Sequence, residues 1–152
     1  MIKFSLCLLY LIALSSCQSN INARNLKKAK RLQADGIKLL HERNSIQNSN
    51  RDLATQLNNK AISKFADAYK ADTSFSEAAL YASECTMYAR DYKNCLYWTT
   101  ILMRLDSTKW VQNLCKSRIP YCNKQLQLQE KKKIVFYKSR LRLFKLEKNA
   151  AK

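Results

Sequence analysis

An all-α fold follows from three features of this sequence. Its 152 residues include one glycine and one proline, so the positive-φ and fixed-φ turns that β-hairpins require are almost absent. Apolar residues recur every three or four positions along most of the chain, the spacing of helices with one buried side. Short polar stretches rich in Asn, Asp, Ser and Thr punctuate that pattern, as helix connections do. The expected architecture is a stack of helical hairpins forming a short solenoid, followed by a long basic C-terminal helix.

At the N-terminal end, Met1-Ile2-Lys3 gives a short positive start, Phe4 to Leu14 is largely apolar, and Ser15 and Ser16 are small residues ahead of Cys17. This is the layout of an export signal. As a helix the apolar run rises about 16 Å, short of the roughly 30 Å of hydrocarbon that a spanning helix must cross. No permanent transmembrane anchor is expected. The residues Leu14-Ser15-Ser16-Cys17 resemble a bacterial lipobox. That resemblance implies a diacylglycerol joined to the Cys17 sulfur, removal of residues 1–16 as a lipoprotein signal peptide, and a mature chain of about 136 residues held to a membrane by acyl chains. The alternative is an ordinary secretory leader in which Cys17 falls by chance. Residues 17–24, polar and without regular apolar spacing, read as a tether. They lack both the aspartate after the cysteine that marks inner-membrane retention and an acidic surface-export cluster. By the same resemblance the outer membrane, on its periplasmic side, is the expected location.

From Asn25 to Arg43, Leu26, Ala29, Leu32, Ile37, Leu39 and Leu40 recur around Gly36, with Lys and Arg filling much of the other side, and predict an amphipathic helix. Asn44 to Asn50 reads as a loop. A second helix runs from Asp52 to about Ala71, with Leu53, Leu57, Ala61, Phe65, Ala68 and Tyr69 on one side. Asp72-Thr73-Ser74 breaks it, and Ser74 with Glu77 forms a capping-box pattern at the start of a third helix, Ser76 to Ala89. Arg90-Asp91 is a tight polar connection, and a fourth helix spans Tyr92 to Leu105. Asp106-Ser107-Thr108 then repeats the chemistry of Asp72-Thr73-Ser74.

These two Asp turns lie 34 residues apart, and at the same offset Ala61 aligns with Cys95, Ala68 with Leu102 and Tyr69 with Met103. Residues 26–108 thereby resemble the tetratricopeptide repeat. Ala61, Phe65 and Ala68 match the small, aromatic and small positions of that family's second helix, and Asp72-Thr73 stands where the family has Asp-Pro. Gly36 fits the small residue of the first helix once about 13 residues around 44–57 are inserted. The second unit departs from the pattern with Ser83 at the glycine place, Thr99 at the aromatic place and Ser107 at the proline place. Pro120 makes a third unit, starting near Trp110, a poor match. The resemblance implies that the first helices of successive units line a concave groove for a peptide or helix of a partner protein. Lys30, Gln33 and Ile37 in the first unit, and Glu77, Leu80, Glu84 and Met87 in the second, would face it. The alternative is an unrelated helical bundle. The repeat domain is expected over residues 25–123.

Trp110 to Asn123 and Lys124 to about Asn149 predict two further helices, with Pro120 kinking or ending the first. The segment 124–152 carries Lys131, Lys132, Lys133, Lys138, Arg140, Arg142 and Lys145, interleaved with Ile134, Val135, Phe136, Tyr137, Leu141, Leu143, Phe144 and Leu146. It reads as a basic amphipathic helix. Its apolar side is expected first to cap the preceding helices; an anionic membrane interface and an acidic protein are the other two candidates.

Little in the chain suggests catalysis. His41 is the sole histidine and stands beside Glu42 without a partner at metal spacing; one glycine excludes a phosphate-cradling loop and a Gly-x-Ser-x-Gly elbow. No enzymatic activity, cofactor or metal site is expected. Cys85, Cys95, Cys115 and Cys122 allow two disulfides in three connectivities in an oxidising compartment, or four buried thiols. Cys85 and Cys95 sit symmetrically about Arg90 and could meet across a helical hairpin.

Twenty-eight Lys and Arg against 11 Asp and Glu give a formal charge of +17, which attracts polyanions. After export these are phospholipid head groups, lipopolysaccharide phosphates, cell-wall polymers and acidic proteins rather than nucleic acid. The expected function is a membrane-tethered scaffold that binds an envelope protein, its basic tail orienting it against an anionic surface. The alternative is an envelope lipid- or anionic-polymer-binding protein in which the tail is the working part.

Overall fold

The computed structural model describes the backbone of residues 2–150 and the side chains of residues 21–142 and of Phe144. Five helices follow one another: α1 (Ile2–Ile46), α2 (Arg51–Ala71), α3 (Ser76–Tyr88), α4 (Tyr92–Leu105) and α5 (Lys109–Ala150). Among the described residues there is no strand, and the fold is all-α. Each helix packs on the next in sequence. Gly36 lies against Phe65 while Arg43 bonds Asn58, so α1 and α2 run antiparallel. Phe65 stacks on Tyr81 and Asn58 reaches the Cys85 carbonyl, which sets α3 antiparallel to α2. The pairs Thr99–Cys115 and Cys95–Cys122 do the same for α4 and α5. Stacking the hairpins this way leaves α1, α3 and α5 on one side and α2 and α4 on the other.

The core explains why those residues form helices. Ala61, Phe65, Ala79, Ala82, Cys85, Trp98, Leu102, Val111 and Cys115 gather from α2 to α5 in one cluster, with Ile37, Leu40 and Leu80 against it. Small residues dominate, so the helix backbones approach closely and a few large side chains fill the gaps. A second cluster, Ala29, Ala68 and Ala78, joins α1 to α2 and α3; a third, Tyr92, Cys95 and Cys122, joins α4 to α5.

The 34-residue echo is present in three dimensions. Asp72 and Asp106 both leave their helices with extended backbone. Their amides donate to the carbonyls of Ala68 and Leu102, 3.1 and 3.0 Å. Their carboxylates accept the amides of Ser74 and Thr108, 3.0 and 2.9 Å. The aligned pairs Ala61/Cys95, Phe65/Thr99 and Ala68/Leu102 are all fully buried. At the tighter connection, Arg90 takes a left-handed φ of 57°. Its amide donates to Met87 O and that of Asp91 to Thr86 O, a Schellman ending for α3.

Several expectations are corrected. α1 starts at Ile2 rather than near Asn25, so residues 17–24, read as a tether, are helical; no glycine or proline stands between Lys3 and Gly36 to stop propagation. The inserted residues around 44–57 lengthen α1 to Ile46 and let α2 begin at Arg51, where the Asn50 side chain accepts the Leu53 amide at 3.0 Å. The Ser74–Glu77 capping box does not form: Phe75 is the N-cap and offers no side-chain bond. The Ser74 hydroxyl instead donates to Asp72 at 2.6 Å, which holds Ser74 in the turn, one residue ahead of the N-cap position. Pro120 does not end a helix: it lies inside α5, which continues through it as one element. Its missing amide leaves only the carbonyl of Lys116, an exposed residue that water can reach. Meanwhile Val111, Cys115, Arg118 and Cys122 on the other side stay buried.

The C-terminal stretch does not cap the stack. Every described residue from Gln127 onward is exposed. Two features go with this: Tyr92 at the start of α4 already meets Tyr121, so α5 runs on past the end of α4, and at about 100° per residue the face carrying Val111, Cys115, Arg118 and Cys122 continues as Gln129, Lys133, Phe136 and Arg140, polar except for Phe136.

Candidate interaction surfaces

Two surfaces emerge. The first is the side built from α1, α3 and α5. Gln33 Nε2 donates to Glu77 Oε2 at 2.7 Å, joining α1 to α3. Arg118 joins α5 to α3: its Nη1 donates to Ser83 Oγ at 2.7 Å and its Nη2 pairs with Glu84. Arg118 is nearly buried while Glu84 is half exposed, so the pair is a brace whose carboxylate edge faces water. Leu80 and Glu77 line a small cavity of about 210 Å³ with Asp106 and Trp110, and Trp110 is 61% exposed at its edge.

Of the residues expected to face a groove, Gln33, Glu77, Leu80 and Glu84 are thus brought together along this side. Lys30 is exposed and Ile37 packs against the main core. Met87 instead turns to the cluster of Tyr92, Cys95 and Cys122. Arg118 and Trp110 escaped the sequence reading. A signal was available for Arg118: it falls in register with Val111, Cys115 and Cys122, a cation on an otherwise apolar stripe. Asn58 carries the same signal among Ala54, Ala61 and Phe65. It is buried, accepts from Arg43 Nη1 at 2.7 Å and donates to Cys85 O at 3.0 Å.

The second surface is the projecting part of α5. Lys131, Lys132, Lys133, Lys138, Arg140 and Arg142 are all exposed; the Lys145 side chain lies outside the described residues. Lys133 pairs with Glu130 at 3.0 Å, both largely exposed, and such a pair contributes little. Leu128, Ile134, Val135, Phe136, Tyr137, Leu141 and Phe144 are also exposed. They do not form one face. At about 100° per residue, Leu128, Val135 and Phe136 make one stripe and Ile134, Tyr137, Leu141 and Phe144 a second on nearly the opposite side, with Lys131, Lys138 and Arg142 between them along one edge and Lys133 and Arg140 along the other. The simple amphipathic helix expected from composition is therefore a two-sided one. Its first stripe, with Lys131, Lys132 and Ser139, surrounds a shallow apolar hollow.

Cys17 belongs to α1 by its backbone; its side chain lies outside the described residues. Cys85, Cys95, Cys115 and Cys122 are free and buried. Of the two readings the sequence left open, a Cys85–Cys95 pairing and four buried thiols, the structure has the second. Cys85 joins the main core, whereas the Cys95 sulfur meets that of Cys122 at 3.4 Å. Position along the hairpin was a poor guide, because a residue's helical phase decides which neighbour it faces. Burial pushes the Cys85 thiol up to about 12, against a smaller opposing effect of Arg43. Burial, aided by the contact with Cys95, does the same to Cys122. Among the described residues no three His, Cys, Asp or Glu side chains converge as metal ligands, and no helix is long and apolar enough to cross a membrane.

No protein-family model, curated protein or solved structure matches this chain.

Proposed function

We propose that this chain is a lipid-anchored scaffold of a bacterial cell envelope, which engages a partner protein through the α1/α3/α5 side of a tetratricopeptide-like stack and through the helix that projects from it. The observation that carries the reading is the continuity of α5: one helix supplies Arg118 and Trp110 to the braced side and then runs on with bulky apolar residues exposed on two faces. Exposed apolar area of this extent marks a macromolecular contact. Lipid attachment at Cys17, outer-membrane placement and a periplasmic partner rest on the resemblance of residues 14–17 to a lipobox.

The two stripes favour a protein partner over a flat lipid surface. A bilayer interface covers one side of a helix lying on it, which would leave either Leu128, Val135 and Phe136 or Ile134, Tyr137, Leu141 and Phe144 in water. A partner that clasps α5 from both sides covers all of them, and acidic residues on it would meet the two basic edges.

Crosslinking in cells followed by mass spectrometry tests this, using the full chain, a chain ending at Leu126 and a Glu77→Lys/Glu84→Lys variant. Expected are crosslinks to one protein that map to α3 and α5 and weaken in both altered chains. Absence of any specific partner with all three ends the scaffold reading. The second reading, an envelope lipid- or anionic-polymer-binding protein, is favoured by the cations flanking each stripe. It predicts co-sedimentation with anionic vesicles that is lost in the chain ending at Leu126; unchanged co-sedimentation removes it.

A further inference from the structure

The α4–α5 packing brings two sulfurs together in the interior. Cys95 on α4 and Cys122 on α5 are both fully buried, and their Sγ atoms stand 3.4 Å apart. Tyr92, Met87, Leu96 and Leu126 enclose them. The other two thiols are placed elsewhere: Cys115 directs its sulfur to the Thr99 carbonyl, and Cys85 lies in the main core. A disulfide needs its sulfurs at about 2.05 Å, so small side-chain rotations and a slight approach of the two helices complete the geometry.

We propose that Cys95 and Cys122 form a disulfide when the chain folds in an oxidising compartment, and that this bond staples the base of the projecting helix to the repeat. Cys122 is the last fully buried residue of α5 before every described side chain becomes exposed. A crosslink there sits where any pull on the projecting helix would first open α5 from α4. The chemistry balances by exchange with a disulfide donor, whether a small-molecule disulfide or a disulfide-bearing oxidoreductase. One Cys thiolate attacks a donor sulfur and releases a donor thiolate. The second Cys thiolate then displaces the other half of the donor, forming Sγ–Sγ; both protons and both electrons end on two donor thiols. In the folded chain both sulfurs are enclosed and out of reach of a donor, so the bond forms while α5 is still docking, and slowly if at all after folding is complete.

The pairing goes beyond the scaffold reading and is tested apart from it, on purified full chain unfolded under reducing conditions and refolded in a mixture of oxidised and reduced glutathione. Peptide mapping after thiol blocking separates the four buried cysteines from Cys7 and Cys17. The expected result is a Cys95–Cys122 linked peptide with Cys85 and Cys115 blocked as free thiols. A Tm higher by on the order of 10 °C than that of the reduced chain should accompany it, as closing a loop of this length predicts. Cys95→Ala and Cys122→Ala should each abolish the linked peptide and the rise in Tm. Recovery of all four thiols after oxidative refolding, or a dominant link between Cys85 and Cys95, overturns the proposal. The wild-type map alone decides this should either variant fail to fold.

Discussion

A β-carbon placed on Gly36 would stand 2.6 Å from Cε1 of Phe65, so the only glycine in the chain is where the α1 backbone lies directly on a fully buried ring. Here α1 and α2 approach more closely than a side chain at position 36 would allow. Position 36 is helical, and glycine there costs about 1 kcal/mol relative to alanine in propensity alone; the close approach is what requires it.

Gly36→Ala is therefore expected to destabilise the fold despite the better helix former, by about 1–2 kcal/mol in urea denaturation, overpacking outweighing propensity. Combining it with Phe65→Leu should cost less than the two single changes summed, because the shorter side chain vacates the space. A gain in stability on Gly36→Ala alone would show that the ring yields freely.

At Arg90 the opposite argument applies. Its left-handed φ of 57° is strained for a residue with a β-carbon, and its side chain is exposed. Arg90→Gly should stabilise by roughly 0.5–1 kcal/mol, since glycine suits that position of a Schellman ending. Chemical denaturation checks it; an unchanged or lower midpoint contradicts the assigned geometry.

Asn58 links three helices through Arg43 and the Cys85 carbonyl. Asn58→Ala removes both bonds and leaves a small void, and a loss of about 2–3 kcal/mol is expected. Arg43 lies 4.2 Å over the Tyr88 ring and also bonds Asn44, so its guanidinium keeps partners and the loss stays below that of an abandoned buried charge.

The Cys85 thiol titrates near 12 in the folded chain against 9.0 for an ordinary thiol. The folded state holds this proton more tightly, so its contribution to stability is complete below about pH 9 and is lost as pH rises toward 12. The slope is at most about 1.4 kcal/mol per pH unit from this one group. Cys85→Ala should flatten the alkaline fall in stability measured between those limits, with tyrosine and lysine ionisation common to both chains. Equal slopes would place the thiol in a more solvated setting than its burial indicates.

Truncation after Leu126 should leave the Tm of the remaining chain within about 2 °C of the full chain, because every described side chain that is removed is exposed. A large fall would mean that the projecting helix packs on the stack after all. In cells, Cys17→Ala should abolish palmitate labelling and the sensitivity of processing to globomycin; persistent labelling would exclude lipid attachment at that residue.

Residue order by itself determined the helical class, the bounds of α3 and α4, and the 34-residue echo. Those properties follow from local physics: apolar spacing, scarce glycine and proline, and Asp side chains that accept amides two residues on. Tertiary structure decided what lies far apart in sequence or depends on helical phase. Cys95 faces Cys122 rather than Cys85, Glu77 turns to Gln33 rather than to its own helix start, and Arg118 is drawn inward to Ser83 and Glu84. Pro120 stays within a helix because packing along Val111, Cys115 and Cys122 outweighs one missing bond. The C-terminal stretch stands free because α5 runs on past the first residue of α4, Tyr92, which meets Tyr121, a consequence of helix length and stacking that composition does not reveal.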